Sequence, residues 1–183
     1  MNLDTVIKGR RSVRHYRNMD VPDSVILELI DLARFAPSSM NGQPWSFIIV
    51  KDTLTRDRLA TIKDEYCPLE KRDYKASMLR DAPVVIVVCV DRKKSHKRVI
   101  ENAVLATSYL MLAAYSRGIG CVYMSAYTAD EPRLADHIRE LLEIPAHIEP
   151  VTLLPLGYPD ETPGNKQQEP LEGMIFNEKY GEF

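Results

Sequence analysis

Cysteine is scarce and never paired along the chain. Cys67, Cys89 and Cys121 are odd in number and widely spaced, with no Cys-x-x-Cys. That spacing points neither to a disulfide framework nor to a zinc site. The four histidines (His15, His96, His137 and His147) are scattered, no two at metal-ligand spacing, so no metal site is expected. Long apolar runs are missing as well. The longest, Val84 to Val90, is far too short to cross a bilayer, and Met1-Asn2-Leu3-Asp4 opens no apolar signal region. The expectation is no membrane partner and a cytoplasmic setting. A net charge of −2 gives no global basic field, so no nucleic-acid partner is expected. No Gly-x-Gly-x-x-Gly follows a strand, no Gly-Lys-Ser/Thr loop is present, and there is no Gly-x-Ser-x-Gly elbow. Those absences argue against a Rossmann dinucleotide site, a P-loop and an esterase-type nucleophile.

What remains is an ordinary globular composition, 183 residues of which 45% are apolar, which suits a single domain over residues 1–183 with a sizeable core. Its most pointed feature is Arg10-Arg11-Ser12-Val13-Arg14. A guanidinium is planar, permanently charged and shaped to hold a phosphate through two parallel hydrogen bonds. In extended backbone Arg10, Ser12 and Arg14 would line one side, with Arg11 and Val13 on the other. From the residues alone the run is either a phosphate cradle or a solvated basic turn.

Leu3 to Lys8 reads as a short helix ended by Gly9. Pro22 and Asp23 open a second helix, whose Ile26, Leu29, Ile30 and Ala33 share one face, and Pro37 stops it. The stretch Ala36-Pro37-Ser38-Ser39-Met40-Asn41-Gly42-Gln43-Pro44-Trp45 packs hydroxyl and amide groups between a helix and a strand. Gly42 is expected to supply unusual backbone angles there. Such a loop offers the edge that a flat heterocycle with carbonyls and ring nitrogens needs; an ordinary polar connection is the other reading.

Phe47 to Val50 follows as a strand that Trp45 begins, then a surface helix over Asp52 to Lys63. The charged stretch Asp64 to Arg80 reads as a flap or short helix carrying Tyr66, Tyr74 and Met78. Val84 to Val90 is a strand buried on both faces. Arg92-Lys93-Lys94-Ser95-His96-Lys97-Arg98 is the strongest basic run, either a solvated loop or a contact for a nucleotide phosphate. Val99 to Arg117 is apolar almost all round apart from Glu101 and Asn102, and reads as a helix buried on every side, as a core axis or a subunit interface. Gly118-Ile119-Gly120 leads into a strand over Cys121 to Ala126; a helix over Asp130 to Leu142 and a strand over Pro150 to Leu156 come next. The tail carries Leu171, Met174, Ile175, Phe176 and Tyr180, too apolar to hang free, so it is expected to pack on a neighbour.

With these stretches in hand the chain resembles the FMN-dependent nitroreductase family over nearly its whole length. The likeness rests on Arg10 to Arg14, Ala36 to Trp45, Arg117-Gly118-Ile119-Gly120-Cys121 and Leu156-Gly157-Tyr158-Pro159, in that order. The resemblance implies an α+β sandwich, a central mixed or antiparallel sheet flanked by helices, and an intertwined homodimer with FMN between the subunits. It makes Arg10, Arg11, Ser12 and Arg14 candidate cofactor ligands, with Arg10, Ser12 and Arg14 at the phosphate and ribityl oxygens. Pro37, Ser38, Ser39 and Asn41 would border the flavin, usually from the partner chain. Met124 and Ser125 would lie under its ring, and Gly157 near the phosphate. Lys166 and Gln168 fall where the family carries a Lys-x-Arg pair; Gln168 stands in place of the arginine.

The resemblance implies NADH or NADPH as electron donor and a small electron-poor organic acceptor, such as a nitroaromatic or a quinone, served in turn by one open site. Because FMN carries the hydride, no catalytic acid, base or nucleophile is assigned. Reductive dehalogenation or oxidative flavin cleavage on the same fold, and a flavin-binding regulator without turnover, are the alternatives.

Overall fold

The computed structural model of the protein describes residues 1–66, 75–128 and 131–182. In chain order its elements are α1 (Leu3–Gly9), α2 (Asp23–Ala33), β1 (Trp45–Val50), α3 (Thr53–Glu65), α4 (Ser77–Asp81), β2 (Val84–Asp91), α5 (Val99–Ser116), β3 (Gly120–Cys121), β4 (Met124–Ser125), α6 (Arg133–Leu141) and β5 (Ile148–Gly157). Short 3-10 turns occur at Ser39–Asn41 and Leu171–Gly173.

The sheet runs β1-β2-β5-β3, with β4 also on β5, and every pair is antiparallel. The Val84–Val90 run lies in the middle, and every one of its residues is buried. Alternation then divides the side chains between two cores. Val84, Ile86, Val88 and Val90 meet Ile26, Leu29, Ala103 and Leu110 of α2 and α5. Val85, Val87 and Cys89 meet Leu59, Leu79, Leu134 and Ile138 of α3, α4 and α6. A fully buried Val or Leu contributes about 1.5–3 kcal/mol, so a strand used on both faces anchors the fold. The architecture is α+β, as the resemblance implied.

Local chemistry sets the helix starts. Asn2 Oδ1 accepts the Thr5 N–H at 2.9 Å and caps α1. Asp52 Oδ2 accepts the Thr55 N–H at 2.8 Å and caps α3, and its hydrogen bonds to Thr55 hold its carboxyl below the ordinary value.

Four expectations change. Gly9 is the last residue of α1, not a cap beyond it; a Cβ there would displace the Tyr115 hydroxyl, which packs directly over it. The expected strand over Cys121 to Ala126 is two short pieces, β3 and β4, both laid on β5. Helix α5 buries Asn102, Ala103, Ala106, Thr107, Leu110, Ala113 and Ala114, but turns Ile100, Leu105 and Tyr109 outward, each about 40% exposed. It is therefore a one-sided helix whose outer face mixes these apolar residues with Glu101 and Ser108. The helix expected from Asp130 begins at Arg133; Asp130, Tyr74 and Cys67 lie outside the described residues.

Candidate functional site

The stretch after α1 is extended and laced into the sheet. Ser12 bridges Cys121 in parallel, and Val13 N–H donates to the Cys121 carbonyl at 3.0 Å. Val13 is buried against Gly120, where a Cβ would come within 2.7 Å of it. Burial pushes the Cys121 thiol up to about 12, so beside this stretch it is an inert packing group. On the far side, Tyr16 bridges Pro159, and Arg17 N–H donates to the Tyr158 carbonyl at 2.9 Å. Residues 12–17 are thereby strapped along the exit of β5.

Pointing off this strap, Arg10, Arg11, Ser12 and Arg14 line a cleft of about 290 Å³ together with Pro163, Gly164 and Lys166. The arginines differ in what they do. Arg11 is spent on backbone: its Nη1 donates to the carbonyls of Lys8 and Arg10 at 2.8 and 2.9 Å, and its Nε to that of Gly164 at 3.3 Å. It ties the chain after β5 to the end of α1, which brings Lys166 into the cleft. Arg10, in contrast, has a buried Nη1 with no hydrogen-bond partner among the described residues. A buried charged donor left unpaired costs far more than a paired one, so this atom fits an anion that the chain itself does not supply. Two guanidiniums, an ammonium and a hydroxyl in one cleft are the donor set of a phosphate monoester.

One residue that holds the strap had no local signal in the sequence. Glu161 accepts the backbone N–H groups of both Arg14 and His15, the latter at 3.1 Å, and so curves the strap. Burial alone would raise its carboxyl, but those two donors, aided by the charges of His15 and Arg14, hold it below the ordinary value.

The other expected cofactor residues lie elsewhere. Gly157 pairs with Gly120, and a Cβ on it would sit 2.8 Å from Pro83 Cδ and 2.9 Å from Tyr16 Cδ1, so it serves close packing outside the cleft. Gln168 is exposed and lies outside the residues lining the cleft. Met124 is buried and Ser125 half-buried on β4, where Lys63 Nζ donates to the Ser125 carbonyl at 2.8 Å. Tyr127 packs on the α5-side core.

The loop of Pro37, Ser38, Ser39 and Asn41 is built by its own hydrogen bonds. Ser38 Oγ accepts the Gln43 N–H at 3.0 Å, and Asn41 Oδ1 accepts from Gln43 Nε2 at 3.2 Å. The left-handed residues are Met40, Asn41 and Gln43, not Gly42, whose φ is −69°. Glycine is required at 42 for another reason: a Cβ would collide with the Lys94 carbonyl oxygen. Trp45 is half-buried and donates from Nε1 to the Asn102 carbonyl at 2.8 Å.

This loop and the basic cleft sit at opposite ends of the sheet. Ser12 bridges Cys121, which pairs with Leu156 and through it with Val84, whereas Trp45 pairs with Val90. Along β2 that is about 20 Å at the usual rise of a strand. Among the described residues, no cluster of three or more His, Cys, Asp or Glu could hold a metal ion, and no helix is long and apolar enough to cross a membrane.

Comparison with known proteins follows the same lines. The nitroreductase family profile matches residues 7–158. A Methanothermobacter thermautotrophicus protein named as a candidate NADH dehydrogenase/NAD(P)H nitroreductase is 36% identical, over 91% of this chain and 82% of its own. An iodotyrosine deiodinase of Thermotoga neapolitana is 27% identical, over 87% and 89%. Among solved structures, a candidate NADH dehydrogenase/NAD(P)H nitroreductase from Parabacteroides distasonis superposes with a TM-score of 0.83 at 33% identity, covering 96% of each chain. An FMN-dependent nitroreductase from Clostridium difficile superposes with a TM-score of 0.78 at 27% identity, covering 90% of this chain and 92% of that one.

Proposed function

The chain belongs to the nitroreductase family, and from that premise we propose that it is an FMN-dependent oxidoreductase. It takes hydride from NADH or NADPH and delivers it to a small electron-poor organic acceptor, working as a homodimer. The observation that carries this reading is the buried, unpartnered Nη1 of Arg10 in a cleft shared with Ser12, Arg14 and Lys166. A flavin phosphate supplies the missing acceptor.

The family cofactor contributes the hydride chemistry when bound. The chain contributes binding and orientation. Arg10, Ser12, Arg14 and Lys166 hold the phosphate, and Arg11 and Glu161 shape the strap that presents them. Met124 and Ser125, at the end of β4, would support the ring from below. Ser38, Ser39 and Asn41 offer polar groups to its edge. That loop stands about 20 Å from the cleft along the sheet, which supports its serving the site of a second copy.

A second copy also meets the exposed apolar surface. Met1, Leu3, Ile7, Leu32, Phe35 and Tyr109 surround a groove of about 640 Å³, and all six are exposed. The tail adds exposed Leu171, Met174, Ile175 and Tyr180. Contiguous apolar surface of this kind marks an interface.

The deciding experiment is a visible spectrum of the purified protein, before and after anaerobic NADH or NADPH. Flavin bands that bleach with donor are expected. Protein that stays colourless after incubation with FMN overturns the reading.

The iodotyrosine deiodinase and 5,6-dimethylbenzimidazole synthase relatives favour a second reading, reductive dehalogenation or oxidative flavin cleavage. The family form Asn-x-Gln-Pro-Trp, kept at Asn41 to Trp45, favours the first. Product analysis with NADH, oxygen and free FMN, and separately with an iodinated phenol, separates the two.

A further inference from the structure

The basic run Arg92 to Arg98 takes no part in the cleft, yet it is joined to the Ser38–Asn41 loop. The run leaves β2 as a turn and ends at α5. Ser95 is fully buried at its centre; its Oγ donates to the Arg92 carbonyl at 2.8 Å, and its own carbonyl accepts from Arg98 N–H at 3.0 Å. His96 and Lys97 hold left-handed angles, φ 50° and 64°. Such angles cost non-glycine residues about 1 kcal/mol or more, so surrounding contacts impose the shape.

Those contacts lead to the loop. Asn102, 1% exposed, donates from Nδ2 to the Ser95 carbonyl at 3.1 Å and accepts the Ser39 N–H at Oδ1 at 3.0 Å. Gly42 leaves no space for a Cβ against the Lys94 carbonyl. The turn and the loop are one rigid unit.

The cations on this unit divide into two sets. Arg92 pairs with Glu149, and Arg98 with Glu101 at 3.2 Å. Lys93, Lys94 and Lys97 are exposed and have no ion pair among the described residues. These three exposed lysines fall within five residues of one turn, and the neighbouring Asp91 carboxylate accepts the Lys93 N–H at 2.7 Å.

We propose that this turn receives the adenosine 2′-phosphate of NADPH and gives the enzyme its preference for NADPH over NADH. The inference rests on the flavin reading above: the turn is joined to the loop which that reading sets at the flavin edge, so the lysines stand beside the place where a nicotinamide donor would dock. NADH offers only a neutral 2′-hydroxyl there. NADPH adds a monoester dianion, the group that unpaired ammonium ions bind best. The three lysines act by charge, so the selectivity falls with salt.

The test compares the FMN-loaded protein with its Lys93→Glu/Lys94→Glu/Lys97→Glu variant. Calorimetry with adenosine 2′,5′-bisphosphate, and with 5′-AMP for comparison, reads the turn without using the flavin. Tighter binding of the bisphosphate than of AMP is expected, with a loss of about tenfold or more in the variant. The kcat/KM ratio of NADPH to NADH is expected to fall by about tenfold or more as well. Should charge reversal unfold the protein, the corresponding Lys→Gln triple carries the same comparison with a smaller loss. A wild-type protein that does not favour the bisphosphate, or a variant that binds it unchanged, overturns the proposal. Bisphosphate binding that depends on the lysines, together with a flavin that neither donor bleaches, overturns the functional reading instead.

Discussion

Asn102 Oδ1 accepts the backbone N–H of Ser39 at 3.0 Å, joining a buried position of α5 to a loop 63 residues earlier. The same amide donates to the Ser95 carbonyl, so one side chain satisfies polar groups on two separate loops. Replacing Asn102 with Leu leaves Ser39 N–H and Ser95 C=O without these partners. The expected cost is about 2–4 kcal/mol, read as a lower urea midpoint at unchanged slope, with weaker flavin retention. An Asn102→Leu protein as stable as the parent would show that the loops are held by something else.

Arg10→Ala should separate binding from folding. Its Nη1 has no protein partner to lose, so stability of the flavin-free protein should hold. Loss of a charge-assisted contact to phosphate should weaken FMN by about 10- to 100-fold, equivalent to roughly 1.5–3 kcal/mol. Quenching of FMN fluorescence on titration gives the constant. Arg10→Lys should recover only part of the loss, because an ammonium cannot bind bidentately.

Glu161 gives the strap a pH dependence of known sign. Its folded-state carboxyl lies below the ordinary value of 4.5. Between those two values the unfolded chain binds more protons there, so the stabilisation is complete above pH 4.5 and is lost as pH falls through the lowered folded value. Glu161→Gln should therefore lose stability at pH 7 and show a smaller drop than the parent as pH falls below 4.5. Parallel pH–stability curves for the two proteins would remove Glu161 from this role.

The exposed apolar face predicts a dimer that charge will split. Ile7→Glu with Phe35→Glu adds two carboxylates to a surface where the parent residues are 55% and 66% exposed. Light scattering should show the parent as two chains and the variant as one. Flavin should be lost along with the dimer, since the cleft and the loop edge then no longer meet. A variant that is monomeric and still yellow would place both halves of the site in a single chain.

Much of this protein was legible as sequence because the controlling forces are local. Val84 to Val90 announces a strand buried on both faces because no residue in it tolerates water. Alternation in extended backbone sets Arg10, Ser12 and Arg14 toward one place, and they do share a cleft, but Arg11, expected on the other side, lines it as well. Pro22 and Asp23 announce the start of α2, and the spacing of Ile26, Leu29 and Ala33 announces its buried face. Tertiary structure alone decided which arginine is spent on backbone and which is left waiting, and that Glu161, 147 residues from Arg14, shapes the strap. It also gave Gly42 its purpose, turned Ile100, Leu105 and Tyr109 of α5 outward, and put the basic cleft and the polar loop at opposite ends of the sheet. Periodicity reports which side of an element is buried, but partners brought together by the register of β2 on β5 leave no trace in the neighbouring residues.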